Sequence, residues 1–255
     1  PVPPPPAPAP PMIGLRGDPL HVESNILIAT VMWRRPEIFE FWAQRMKLLG
    51  CDILVVGSEG ERSQQLAEKH GCIYLERPNS PLGAKFNACV NHARCDWVAL
   101  WADDDWHAPQ RLHVTMHAAT THGVAIASTH KRLFYVLQNG QRWLYDYGRN
   151  PVKLDYVLGG TLLFRKTVWD TAKFPELNAA VDNGFIVDAL QRDRVPYTIV
   201  DDETLYVAMI HDDNTRQPWN PLFPYTEWFG NIAGVMGADF DRYRGAYETR
   251  LSRTP

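Results

Sequence analysis

The stretch Trp97-Val-Ala-Leu-Trp101-Ala-Asp103-Asp104-Asp105-Trp106 runs from an apolar segment straight into three consecutive carboxylates. A short apolar run without alternation is what a strand buried on both faces requires. Three adjacent carboxylates repel one another and gain nothing from proximity unless a cation offsets them. In an open α/β sheet, ligands bind beyond the carboxyl ends of the strands, which is the place these residues take. Hard oxygen ligands at this density suit Mg²⁺ or Mn²⁺, ions that reach their substrates through phosphate oxygens. The bland alternative is an acidic loop in which Asp105 caps the helix that follows.

Upstream the same kind of run recurs. Asn25 to Val31, Ile53 to Val56 and Cys72 to Leu75 read as strands, separated by helical patterns from Pro36 to Leu49 and from Glu59 to His70. A third helix, about Leu82 to Ala93, leads into the Trp97 strand. Strands alternating with helices at this spacing point to βαβ units and a mostly parallel sheet. Downstream the pattern loosens. A helix from about Pro109 to His122 and a strand from Val124 to Ala127 precede Leu133–Leu137 and Arg142–Tyr147, which flank the hairpin dipeptide Asn139-Gly140. Leu158 to Phe164 and Thr204 to Ile210 are further strand candidates, with a helix from about Asp182 to Arg192 between them.

The chain has 255 residues, enough to bury a sizeable core, with 45% hydrophobic and 22% charged residues. Lys and Arg number 26 against 29 Asp and Glu, so no general polyanion-binding surface is implied. The four cysteines form no CxxC pair, which suits a reducing compartment and a cytoplasmic location. The longest apolar run, Ile26 to Trp33, is broken by Thr30 and too short to cross a bilayer, and no secretory signal is seen. Pro1 to Pro11, PVPPPPAPAPP, favours polyproline II and reads as a spacer or tether to a larger protein. The expected division is a Pro-rich linker over 1–23, a catalytic domain over 24–216, and an aromatic-rich extension over 217–255 packed on the same domain.

Other residues invite chemistry. Pro81-Leu-Gly-Ala-Lys85-Phe-Asn87 opens a helix, where a glycine and a cation favour an anion; taken alone it reads rather as a surface Lys and an Asn in an ordinary amphipathic helix, and the P-loop spacing is absent. Asp182 begins a helical run, so it is either an ionised carboxylate favoured by the helix dipole or a plain N-cap. His211 leaves a strand for a polar loop beside Asp212 and Asp213, as a metal ligand or a structural histidine. His113 and His117 stand four apart but lack the glutamate of HExxH. Ser58 has no GxSxG elbow around it. Trp219, Tyr225, Trp228 and Phe229 read as cover for a core edge, with an acceptor groove or a membrane surface as alternatives.

Taken in order, Thr30 at the end of the first strand, Ser58-Glu59, Gly83-Ala-Lys85-Phe-Asn87 and Trp101-Ala-Asp103-Asp104-Asp105-Trp106 resemble the family 2 glycosyltransferases of GT-A fold. The resemblance continues through Leu158-Gly-Gly-Thr-Leu-Leu-Phe164, Val181-Asp182-Asn-Gly-Phe185 and Ile210-His211-Asp-Asp-Asn214-Thr215, so it spans roughly residues 24 to 216. It implies a GT-A-like open, mostly parallel sheet flanked by helices, with a mixed, antiparallel acceptor-side half. It also implies sugar transfer with inversion, from a nucleotide-sugar donor such as a UDP-sugar, assisted by Mn²⁺ or Mg²⁺. By that resemblance Thr30, Glu59, Lys85, Asp103 and Asp104 would lie along the donor, and Asp103 and Asp105 would form the DxD frame. Asp105, Asp103 and His211 would hold the metal, and Asp182 would be the base. Two other readings stay open at this point: a different metal-dependent nucleotidyl or phosphoryl enzyme, and a non-catalytic nucleotide- or glycan-binding module.

Overall fold

A computed structural model describes residues 25–32, 36–149, 157–211 and 225–251. The proline tract, Asp212, Asp213 and Trp219 lie outside the described residues.

The first half of the chain alternates strand and helix as its sequence pattern predicts. In order these are β1 (Ile26–Val31), α1 (Pro36–Met46), β2 (Asp52–Gly57), α2 (Glu61–Lys69), β3 (Ile73–Glu76), α3 (Leu82–His92) and β4 (Trp97–Leu100). Then come β5 (Trp106–His107), α4 (Arg111–Thr121), β6 (Ile126–Thr129), β7 (Lys131–Val136), β8 (Arg142–Asp146), β9 (Leu163–Arg165) and α5 (Lys166–Thr171). The chain continues through α6 (Val181–Val187), β10 (Tyr197–Val200), β11 (Tyr206–Ile210), β12 (Tyr225–Glu227), α7 (Ile232–Met236) and α8 (Asp239–Leu251).

A seven-stranded sheet carries the order β10-β6-β9-β4-β1-β2-β3, parallel throughout except for β9, which runs antiparallel to both neighbours. The missing alternation in the apolar runs has a direct cause: successive side chains enter two different cores. Leu27, Ala29, Leu54, Val56, Val98 and Leu100 pack on one side with Cys89 and Val90 of α3 and Phe185 and Ile186 of α6. Ile26, Ile28, Ile53, Val55, Trp97 and Ala99 pack on the other with Phe39 and Trp42 of α1, Ala67 of α2 and Leu112 of α4. Each fully buried aliphatic side chain contributes about 1.5–3 kcal/mol of transfer free energy, so both faces of the sheet are strongly held.

A second, five-stranded sheet has the order β12-β8-β7-β11-β5 and is mostly antiparallel, with β7 and β11 the parallel pair. Its one face, with Leu133, Tyr135, Val207 and Met209, packs on Ile232 and Met236 of α7 and Tyr243 of α8. Helix α8 also meets α1, Phe41 lying edge-on to Tyr243 at 5.1 Å.

Four sequence expectations change. The strand expected over Thr204–Ile210 opens as a 3₁₀ turn at Glu203–Leu205, capped by Asp202, and β11 begins at Tyr206. Leu158–Phe164 is not one strand: Gly159–Thr161 forms a 3₁₀ turn before β9. The two glycines lack side chains to line a sheet, and Asp182 and Tyr206 pack against them. The strand expected at Val124–Ala127 lies at Ile126–Thr129 because the Val124 N–H still bonds Ala119 O of α4. The helix expected from Asp182 to Arg192 is α6 followed by a π-helical turn over Asp188–Arg192. The short strands β5, β10 and β12 carry no sequence pattern long enough to read.

Candidate active site

Strand β4 lies on one side of β1 while β2 and β3 lie on the other. The chain's direction of travel across the sheet therefore reverses between β1 and β4, which marks the place beyond the carboxyl ends where open α/β sheets bind ligands. Thr30 of β1 and the Asp103–Asp105 triplet after β4 flank it. Thr30 is fully buried, and its hydroxyl has no hydrogen-bond partner among the described residues.

On the β2–β3 side, Glu59, Glu76 and Lys85 come within electrostatic reach of one another. Lys85 is buried; loss of water lowers its pKa, and Glu59 and Glu76 oppose that shift. Glu59 is exposed and accepts a hydrogen bond from Ser63 Oγ at 3.3 Å. Tyr74 bonds Glu76 with its hydroxyl. The start of α3 differs from the expected anion seat. The N–H of Gly83 bonds Leu177 O at 3.0 Å and that of Leu82 bonds Asn178 Oδ1 at 3.2 Å, so those donors are engaged within the protein. Gly83 serves close packing: a Cβ there would meet Pro175 O at 1.8 Å.

All three aspartates of the triplet are buried. Asp105, expected on the metal, has both carboxylate oxygens engaged inside the protein. Oδ1 accepts the Met209 N–H at 2.9 Å, and Oδ2 accepts the Tyr206 hydroxyl. Burial and then the neighbouring Asp104 push its pKa up to about 7, against the hydrogen bonds that favour its charge. Its carbonyl also takes the Tyr243 hydroxyl at 2.7 Å, so α8 holds the triplet from below. Asp104 meets the other expected ligand: His211 Nε2, fully buried at the end of β11, stands 3.1 Å from Asp104 Oδ2.

Asp182 is the second residue of α6, and its side chain lies directly on the Gly159 turn, where a Cβ would meet Asp182 Oδ2 at 2.1 Å. The neighbouring Gly160 lies against the Tyr206 hydroxyl, which a Cβ would meet at 2.7 Å. One turn thus connects Asp182 to Tyr206 and, through it, to Asp105.

Three residues that sequence reading passed over join this arrangement. Arg111 is fully buried, donates to Leu100 O at 2.9 Å and to Gly160 O at 3.1 Å, and lies 3.7 Å from the centre of the Trp101 ring. It thereby ties the end of β4 to the turn under Asp182, and burial lowers its pKa to about 9. Its Nη1 stands 2.6 Å from His107 Nδ1, which accepts, leaving the imidazole neutral. His107 stacks on Tyr206 at 4.8 Å. Arg132 of β7 lies over Phe134 and Tyr145. In sequence each is a lone polar residue, with no spacing to separate it from a surface residue.

His113 and His117 stack on α4, and among the described residues no group of three metal-ligating side chains gathers anywhere. Trp228 lines a groove of about 660 Å³ with Trp106, Asn231 and Met236, on the side of the C-terminal helices. Tyr225 packs on Phe134 and Tyr145, and Phe229 is exposed.

A family model described as glycosyl transferase family 2 matches residues 43–171, about half of the chain. The chain belongs to glycosyl transferase family 2. Glu59, Lys85 and the aspartate triplet of this family 2 domain fall inside the matched range, while Thr30, Asp182 and His211 fall outside it. Its structure is similar to S. aureus TarS 1–349, with a TM-score of 0.51 at 15% identity over 72% of this chain and 60% of that one. The same protein in complex with UDP-GlcNAc gives 0.54 at 15% identity, over 74% and 60%. At this identity the likeness speaks for the GT-A fold, and the family 2 domain spans 60% of those chains. No curated protein matches the sequence. Among the described residues no helix is long and apolar enough to cross a membrane.

Proposed function

We propose that this family 2 domain transfers a sugar from a nucleotide-sugar donor, a UDP-sugar, to an acceptor hydroxyl with inversion at the anomeric carbon. The observation that carries the reading is the convergence, at one end of the sheet, of the buried aspartates, His211 beside Asp104, and Asp182 braced on the Gly159 turn. The bound UDP-GlcNAc of the TarS structure is consistent with a donor of this class.

In this reading Thr30, Glu59 and Lys85 border the nucleotide, and the Lys85 ammonium faces diphosphate charge. Asp104 and His211 would hold a divalent cation such as Mn²⁺ or Mg²⁺, two side chains 3.1 Å apart. Such ions are held by one or two side chains and complete their shell with substrate phosphate and water. When bound, the ion offsets the negative charge that grows on the departing diphosphate. Asp105 positions this loop from the protein side and does not ligate. Asp182 removes the proton of the acceptor hydroxyl as its oxygen bonds to the anomeric carbon and the bond to the diphosphate breaks.

Thermal unfolding with UDP, UDP-GlcNAc and ATP, each with and without Mn²⁺, tests this reading. A ligand at a hundred times its Kd adds about 2.7 kcal/mol of stability, a rise of a few degrees for a domain of this size. Stabilisation by UDP and UDP-GlcNAc that grows with Mn²⁺, and loses that growth in Asp104→Asn, is the expected result. Stabilisation by ATP alone overturns the reading in favour of a nucleotidyl or phosphoryl enzyme.

A further inference from the structure

Arg132 stands out in the second sheet. Its strand β7 pairs with β11 so that Val207 opposes Leu133 and Ala208 opposes Phe134. Phe134, Val136, Tyr206 and Ala208 share one face of that sheet. The two-residue period of a strand puts Arg132 on the same face, next to Tyr206. Tyr206 touches both Asp105 and the Gly160 turn, so the guanidinium stands at the edge of the candidate site. It lies 4.6 Å from the centre of the Phe134 ring and 5.7 Å from that of Tyr145. Its Nε is buried without a hydrogen-bond partner among the described residues, and the charges of Asp105 and Asp182 act on the group.

A cation held in such a place costs free energy unless something compensates it. Aromatic faces recover part of that cost and fix the orientation of the planar group, but they leave its N–H donors open. Burial opposes the charge on Arg132, whereas Tyr206, Tyr147, Tyr225 and Asp182 favour it, so the group stays charged. A planar guanidinium with an open Nε, on a strand paired on both sides, suits an oxyanion bound by two parallel hydrogen bonds. Donor charge already has Lys85, on α3 against β1 and β2 of the seven-stranded sheet. Arg132 belongs to the sheet opposite, within the field of Asp182.

We propose that Arg132 is the seat of an oxyanion carried by the acceptor, a phosphate or carboxylate near the hydroxyl that Asp182 deprotonates. The proposal rests on the transferase reading and narrows it to an acidic acceptor. Arg132 contributes binding and orientation, so it acts chiefly on acceptor KM.

The test is thermal unfolding of the chain saturated with UDP and Mn²⁺, titrated with glycerol 3-phosphate, with glycerol, and with sodium chloride at matched ionic strength. Wild type is expected to gain stability from glycerol 3-phosphate alone. Arg132→Gln is expected to lose that gain while keeping its full response to UDP. Arg132→Lys keeps the charge without the planar fork, and is expected to bind the probe at least tenfold more weakly; it also serves if the Gln variant does not fold. A wild-type glycerol 3-phosphate response in both variants overturns the proposal, leaving Arg132 as a counter-charge to the aspartates. So does the absence of any anion-specific response in wild type. Loss of the UDP response together with the phosphate response assigns Arg132 to the donor and overturns the acceptor seat. If UDP stabilises no form of the protein, the transferase reading fails separately. The glycerol 3-phosphate titrations of wild type and Arg132→Gln then still decide whether the oxyanion seat exists.

Discussion

At the scale of single residues, the site depends on a side chain that is absent. Gly159 lies where any Cβ would fall 2.1 Å from an oxygen of Asp182, so the position of that carboxylate is set by a hydrogen atom on the glycine. Gly159→Ala is therefore expected to displace Asp182 and to lower transfer by about the factor a general base supplies, 10² or more. Asp182→Asn, which leaves the packing alone, is expected to match it. Kinetics of UDP release with acceptor, together with UDP binding by each variant, make the check. Unchanged binding with lost turnover is expected in both; full turnover in Asp182→Asn removes Asp182 from the mechanism, and full turnover in Gly159→Ala alone overturns the brace. Asp182 itself was legible in the sequence as a charged residue starting a helix. Its brace was not, because Gly159 and Asp182 are 23 positions apart and meet only after β9 and α6 are in place.

At the scale of elements, helix α3 shows how one motif served a purpose different from the one expected of it. Gly83 and Asn87 lie one turn apart and both face the segment that leads to α6. Asn87 donates to Phe174 O at 2.8 Å and accepts the N–H groups of Phe174 and Trp169 at 3.0 and 2.9 Å. Alanine in place of a helical glycine ordinarily gains roughly 0.5–1 kcal/mol. Here its Cβ would press on a backbone carbonyl that cannot swing away, and overpacking of that kind costs about 1–3 kcal/mol. The clash wins. Gly83→Ala is expected to destabilise the domain by about 1–2 kcal/mol, read as a lowered urea midpoint with an unchanged slope; a raised midpoint would contradict it. The motif announced a helix and a close backbone approach, and both are there. The thing approached is the protein itself, which no local spacing reveals.

At the scale of the whole molecule, two sheets meet at the site, and the His107–Arg111 pair connects them. His107 belongs to the second sheet through β5, while Arg111 reaches the end of β4 and the Gly160 turn. Burial, then the charges of Arg111 and Arg45, hold the His107 pKa well below its ordinary value. The unfolded chain therefore binds a proton there that the folded one refuses. Stability from this group is present above about pH 6.5 and is lost as pH falls below it. Urea midpoints at pH 8 and pH 5 are expected to show that loss, and His107→Gln, which can still accept from Arg111, is expected to flatten it. An unaltered slope in the variant would place the acid sensitivity elsewhere.

Sequence by itself determined the parallel half of this protein and the location of its acidic corner. Apolar runs need no partner to be recognised, since strands buried on both faces demand them, and carboxylates beyond such a strand mark a ligand site wherever the sheet closes around it. Only the tertiary structure decided the roles within that corner. Asp103, Asp104 and Asp105 are identical in composition, and their separation into a group held by Tyr206 and Met209 and a group facing His211 comes from β11, more than a hundred residues away. Arg111, Arg132 and Gly159 acquire meaning the same way. Hydrogen bonds and charges act over a few ångströms of space, and the chain brings these residues within that range only by folding both sheets.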